Sequence, residues 1–199
     1  KDGLMVADET GILFIYTQAA PEEKYEVGEV FDFYGAFNIY YGAPQLQNAT
    51  GKSVRGVASS AEVTEIAPTV IDDFAAYIQE QIAKETSGSD PYNKDNLFDY
   101  EYIQVEVKVR VQGSGNYDVF LVNPDYNGGN LDSSANSALT TNAGMIYYQS
   151  NIGDVRLFDG LVVKMNLFLY SRRTDRAIYT FTFGGTADDI EPVATNEQI

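Results

Sequence analysis

Three arginines within one short stretch, Arg172, Arg173 and Arg176, form the densest basic feature of a chain that holds 13 Lys and Arg against 29 Asp and Glu. Guanidinium forks suit phosphate, and aromatic rings suit bases. With Tyr147 and Tyr148 nearby in strand order, this stretch has the makings of a stacking and phosphate-binding surface. The competing reading is a solvated hairpin tip whose arginines balance local acids. A net charge of −16 favours that second reading, because nucleic-acid backbones demand clustered bases.

A second candidate is Asp125, Asn127, Asn130 and Asp132, hard oxygen ligands on a loop that contains Gly128 and Gly129. Such ligands suit Ca²⁺. The spacing lacks the terminal bidentate Glu and the glycine position of an EF-hand, and Asn, Asp and Gly also build any long loop. A third candidate is Tyr34, Asn38, Tyr40 and Tyr41. Tyrosines with a polar tip beside an amide could stack a sugar ring, or could close a core.

Catalysis has little to work with. The chain contains no Cys and no His. Thiolate chemistry, Ser-His-Asp triads and imidazole bases are therefore excluded, together with disulfides and Cys or His metal ligands. The acid pairs Glu22-Glu23, Asp72-Asp73 and Asp188-Asp189 are adjacent in sequence. Adjacent residues do not face each other on a strand or on a helix, so none is a poised dyad. A carboxylate pair from distant segments, as in a glycosidase, stays open as the third functional alternative.

The elements that position these residues are mainly strands. Tyr and Phe number 15 and 11, and with Val, Ile and Thr they favour a pleated, half-buried surface. Leu4 to Ala7 and Ile12 to Thr17 flank the turn Asp8-Glu9-Thr10-Gly11. From Val30 the chain alternates at length, with Phe31, Phe33, Gly35, Phe37, Ile39 and Tyr41 on one face. Gly35 in its middle predicts a bulge or sharp bend. Ile103, Val105, Val107, Val109 and Val111 alternate with polar residues as a half-buried strand, and Tyr117 to Val122 is its partner. Met145 to Gln149 is a third strand, and Leu161 to Tyr170 with Ala177 to Phe183 form a hairpin across 171–176. The spacing of Val70, Ile71, Phe74, Tyr77, Ile78 and Ile82 predicts one helix over about 69–85, with Ile71, Phe74, Ile78 and Ile82 as its buried stripe. No segment is long and apolar enough for a membrane-spanning helix.

Three ordered motifs carry a resemblance. Gly3-Leu4-Met5-Val6-Ala7-Asp8-Glu9-Thr10-Gly11 is similar to the hairpin between the second and third strands of OB domains. Val27-Gly28-Glu29-Val30 resembles the approach to the fourth strand, and Tyr40-Tyr41-Gly42-Ala43-Pro44-Gln45-Leu46 the turn into the fifth. Together they resemble the OB domains of Bacteroidetes cell-envelope lipoproteins and secreted proteins. They cover about the first quarter of the chain; the second half matches in strand order alone.

The resemblance implies an all-β fold with one linking helix, built from two consecutive OB-like five-stranded β-barrels. The first barrel, residues 1–52, lacks its N-terminal strand. Either residues precede Lys1 in a longer precursor, or part of 53–66 fills the slot, with Ser53 to Val57 and Glu62 to Ile66 as candidates. Residues 53–100 are the expected linker with the helix, residues 101–187 the second barrel, and residues 188–199 a loose acidic tail. By strand order the arginine-bearing hairpin is the loop between strands four and five, which OB folds use to hold ligands. The expected function is a non-enzymatic cell-envelope or secreted module, periplasmic or at the cell surface, that recognises a protein or glycan. It would need no cofactor, with Ca²⁺ the one candidate, and the resemblance allows an upstream lipid anchor. A single-stranded nucleic-acid binder is the first alternative.

Overall fold

In the computed structural model the described residues are 3–16, 25–26, 28–40, 43–47, 55–63, 66–85, 99–113, 117–129, 131, 143–146, 152–173, 178–183 and 187–193. They form mostly strands and one α-helix, and they group into two units: residues 1–67 with 92–100, and residues 68–91 with 101–199.

The first unit begins with the hairpin β1 (Gly3–Asp8) and β2 (Gly11–Tyr16), paired from Gly3 opposite Tyr16 to Asp8 opposite Gly11. Its turn has the predicted chemistry. The Asp8 carboxylate accepts the Thr10 backbone N–H at 2.7 Å and the Thr10 hydroxyl at 2.5 Å. Those bonds, the hydroxyl's first, hold the Asp8 carboxyl below its ordinary pKa. Phe14 and Ile15 of β2 are buried.

The long alternating run is divided at Gly35 into β3 (Phe31–Tyr34) and β4 (Ala36–Tyr40). A side chain has no room there: a Cβ on Gly35 would lie 2.8 Å from the Gln47 carbonyl oxygen and 2.8 Å from Leu46 Cγ. At this break the chain changes partners. β4 pairs antiparallel with β5 (Ala43–Gln47), which runs parallel to β2, giving the order β1-β2-β5-β4. β3 pairs antiparallel with β6 (Arg55–Ala58) in a separate two-stranded sheet.

The break also resets the alternation. Phe31 and Phe33 are half-buried around the Tyr25 ring, at centroid distances of 4.8 and 5.4 Å, but Phe37 is exposed. The single face expected to run from Phe31 to Tyr41 is therefore two faces. A strand that bends and takes a new partner need not keep its parity across the bend.

Arg55–Ala58 supplies a strand beside β3, overlapping the first of the two expected segments; Glu62, Val63 and Ile66 form no strand. Among the described residues β1 has a ladder on one side only. Tyr100, from the return segment of this unit, donates its buried hydroxyl to the Pro44 carbonyl of β5 at 2.8 Å.

The second unit opens with β7 (Thr69–Ile71), followed by α1 (Phe74–Glu85). The helix starts later than its apolar spacing suggested. Thr69, Val70 and Ile71 are β-branched and form a strand parallel to β8 (Tyr102–Gln112), in register from Thr69 opposite Ile103. A parallel pair needs a crossover, and α1 lies on it. The helix is thus part of the second unit and no mere linker. Asp73 caps it by accepting the Ala76 N–H at 3.0 Å, and Asn123 accepts the Ala75 N–H at 3.0 Å and donates to Asp73 at 3.2 Å. Phe74 and Ile78 are buried as expected, with Tyr77 and Gln81 beside them; Ile71 and Ile82 are half-buried.

β8 then pairs through one half with β9 (Asp118–Val122) and through the other with β11 (Val162–Arg173). β10 (Gly144–Ile146) pairs antiparallel with β9 and parallel with β12 (Ile178–Phe183), and β12 pairs antiparallel with β11. The ladder β8-β9-β10-β12-β11 returns to β8 and closes a five-stranded barrel. Closure is possible because β8 is long enough to hold a different partner at each end.

The interior is the expected one. Ile103, Val105, Val107, Val109, Leu167, Phe181 and Phe183 are buried, whereas Glu106 is exposed and Lys108 and Arg110 are half-buried. Each aliphatic side chain removed from water here contributes about 1.5–3 kcal/mol. At the helix side, Phe74 lies against Phe181 with centroids 5.6 Å apart, over Gly144.

The C-terminal segment differs from the loose tail expected. Ile190 is buried, and β13 (Glu191–Pro192) pairs with Val163 and Lys164 of β11. The apolar Ile190, immediately after the acidic pair Asp188-Asp189, seats the segment on the barrel. The void that Ile190 lines with Val109, Leu121, Ile146 and Met165 measures about 10 Å³, at the lower limit for a single water.

Candidate functional site

In the first unit the exposed aromatic side chains are concentrated on β3 and β4. Tyr34 is 62 % exposed, Phe37 64 % and Tyr40 42 %. Val57, on β6 opposite Asp32 of β3, is exposed as well. Phe37 is outward beyond the bend at Gly35, and β4, the last strand of its sheet, carries an exposed ring on each face. Asn38 and Tyr40 share one face of β4 by alternation, and Phe37 is on the other.

Asn38 is half-buried and donates to the Gln47 side-chain oxygen at 3.0 Å; Gln45, buried on the neighbouring strand, donates to the same oxygen at 3.4 Å. This amide set lies on the Tyr40 face, since Asn38 is opposite Gln45 and Ala36 is opposite Gln47. Of the sugar-stacking candidates, Tyr34, Asn38 and Tyr40 are thus placed, and Tyr41 lies outside the described residues. The sequence reading missed Phe37 and Val57. The signal that could have revealed Phe37 was Gly35 itself, since a bend in a strand licenses a change of phase.

The arginine candidate is placed differently from the expected hairpin tip. β11 runs on through Arg173, so Arg172 is opposite Tyr179 and Arg173 is opposite Ile178 within the ladder. The buried pair of Ser171 and Thr180, with hydroxyls 2.7 Å apart, supports this extension after an irregularity at Tyr170. Arg176, Tyr147 and Tyr148 lie outside the described residues. Of the Ca²⁺ candidates, Asp125 and Asn127 are exposed, and Asn130 and Asp132 lie outside the described residues. Among the described residues no three Asp or Glu side chains cluster in a way that could hold a metal ion.

One polar centre was not foreseen. Glu101, just before β8, accepts from the buried Gln81 amide at 3.0 Å and from Lys84 at 3.2 Å. Tyr77 lies beside it, and burial first, then the Glu101 charge, push the phenol far above its ordinary pKa. A phenol so held is no acid–base group at neutral pH. The arrangement fastens α1 to the residue that precedes β8.

A second unforeseen surface is the outside of the barrel at β9, β10 and β12. Phe120, Val122, Met145 and Ile178 point outward there, yet all are buried, under Leu131 and Tyr126 of the segment that follows β9.

No protein-family model, curated protein or solved structure matches this chain.

Proposed function

We propose that this chain is a non-enzymatic binding or structural module of the bacterial cell envelope or its exterior, built on two OB-like units, and that it takes a glycan or protein ligand on β3 and β4. The observation that carries the reading is the exposure of Tyr34 at the end of β3 and of Phe37 and Tyr40 on β4, in an acidic unit. Aromatic side chains left in water on these two consecutive strands offer stacking area at little entropic cost, and the Asn38 and Gln47 amides on the Tyr40 face suit hydroxyl groups.

Strand connectivity supports the OB-like part. In the closed barrel the first three strands form a meander, the third runs parallel to the fifth, and the fourth returns to the first. The first unit follows the same sequence of partners, short of the pairing between strands one and two, if β1 and β2 stand for strands two and three, β3 and β4 for a bent strand four, β5 for strand five and β6 for strand one. Its parallel pair, β2 with β5, falls where that assignment requires. The three sequence motifs lie on β1–β2, before β3 and across β4–β5, in matching order.

The test is a glycan and protein binding screen with the full chain, followed by titration of each hit against Tyr34→Ala/Tyr40→Ala. The expected result is at least a tenfold loss of affinity in the double variant. Hits that keep full affinity would refute the site. A screen in which only single-stranded nucleic acid binds, with affinity falling steeply as salt rises, would replace the reading with the nucleic-acid alternative.

A further inference from the structure

The outer face of a barrel strand ordinarily meets water, and its residues are polar. β8 obeys this, with Glu106, Lys108, Arg110 and Gln112 outside. On β9, β10 and β12 the rule fails. Phe120 and Val122, Met145, and Ile178 are each at most 4 % exposed, although they lie on the side opposite the interior residues Val119, Leu121, Ile146 and Phe181. Their register sets them side by side, with Met145 opposite Phe120 and next to Thr180.

The chain's own segment from Asn123 to Leu131 packs over them, together with Ala143. The segment is rich in Asn, Asp and Gly, and its described residues have no regular structure beyond a turn. Its apolar contribution is Leu131, 6 % exposed, and the half-buried Tyr126. It is fastened at three polar points. Asn123 holds the α1 N-terminus. Lys108 donates to the Tyr126 carbonyl at 2.9 Å. The Gln112 side-chain amide, oriented to satisfy both groups, pairs with the N–H and the carbonyl of Leu131 at 2.7 and 2.5 Å. Two outward residues of β8 thus grip the segment's backbone as an extended ligand would be gripped.

We propose that residues 123–131 act as a built-in pseudo-ligand, occupying the outer face of β9, β10 and β12 and closing the second barrel to outside ligands there. The inference rests on the OB-like reading in one respect: β9 and β10 stand for strands two and three, whose face such barrels use for ligands. It assigns external binding to the first unit and makes the second barrel a scaffold whose own binding face is occupied.

Leu131→Asp removes the apolar anchor and leaves the barrel interior untouched; Gln112→Ala removes the backbone grip. The probe is an anilinonaphthalene sulfonate dye, with near-ultraviolet circular dichroism reporting the barrel. The wild-type chain is expected to take up little dye. Leu131→Asp is expected to raise dye fluorescence at least fivefold with the barrel signal retained. A folded Leu131→Asp protein with no dye uptake overturns the proposal. If that variant does not fold, Gln112→Ala decides. Increased dye uptake by a folded Gln112→Ala protein supports a detachable cover; unfolding or no uptake shows that the segment is an integral part of the core. The readout is independent of Tyr34 and Tyr40, so it stands or falls separately from the glycan or protein titration.

Discussion

Replacing Phe74 by Ala should reveal whether α1 is part of the barrel's core or an ornament on it. Phe74 is 1 % exposed and packs against Phe181 over Gly144. Truncating a fully buried Phe costs about 3–5 kcal/mol, from lost transfer energy and the cavity left behind. Gly144→Ala perturbs the same spot from beneath. The new Cβ would lie 2.5 Å from Phe181 Cε2 and 2.9 Å from Phe74 Cζ, closer than real contacts allow. Overpacking of this kind costs about 1–3 kcal/mol, offset in part by the roughly 0.5–1 kcal/mol that glycine loses in a strand. The two changes should not add. With Phe74 truncated, the Phe181 ring can move aside and the extra methyl fills part of the void. The double variant should therefore be at least about 1 kcal/mol more stable than the sum of the single losses predicts. Urea unfolding followed by near-ultraviolet circular dichroism gives all four stabilities. A loss below about 1 kcal/mol for Phe74→Ala, or strict additivity, would refute the view that this helix is part of the barrel's core.

Glu101→Ala should cost about 1–3 kcal/mol, because it strands the buried Gln81 amide without its acceptor, whereas Lys84→Ala at the exposed end of the same centre should cost under about 1 kcal/mol; thermal melts separate the two. Gly35→Ala should destabilise the first unit by about 1–3 kcal/mol, since its Cβ meets the Gln47 carbonyl, and hydrogen exchange on β4 and β5 reads the loss. The Asp73 carboxyl is held below its ordinary pKa, first by the Ala76 N–H and then by the Asn123 amide. A depressed folded-state pKa means that its stabilisation is complete above the ordinary carboxylate range and drains as the pH falls through the lower value. Asp73→Asn should therefore flatten the loss of melting temperature on acidification below about pH 4, and an unchanged acid limb would contradict the cap.

Much of the five-stranded barrel was legible because its strands alternate cleanly. Ile103 to Val111 on one side and Leu167 with Phe181 and Phe183 on the other declare which face is inward, and a period of two leaves no other register. The candidate site was legible in residue type, with Tyr34, Asn38 and Tyr40 named, but not in exposure. Where the signal failed, a local pattern was compatible with two structures. Val70 and Ile71 fit the spacing of the helix, yet β-branching and a free edge on β8 made them strand. Arg172 and Arg173 read as a turn, because nothing local says that Thr180 and Tyr179 extend the ladder to meet them.

What the amino-acid order determined by itself is the β character of the chain, the helix core around Phe74 and Ile78, the bend at Gly35, and a chemistry without thiol or imidazole. Those follow from side-chain types and short-range periodicity. Tertiary structure alone decided that β8 closes a barrel by pairing at both ends, that Phe37 turns outward beyond the bend, and that the outer face at Phe120, Val122 and Met145 is buried. Each depends on a partner distant in sequence. Leu131, inside a stretch that reads as polar loop, covers that face because the barrel brings Phe120, Met145 and Ile178 together beneath it, and an alternation pattern cannot state which side of a strand will find a cover.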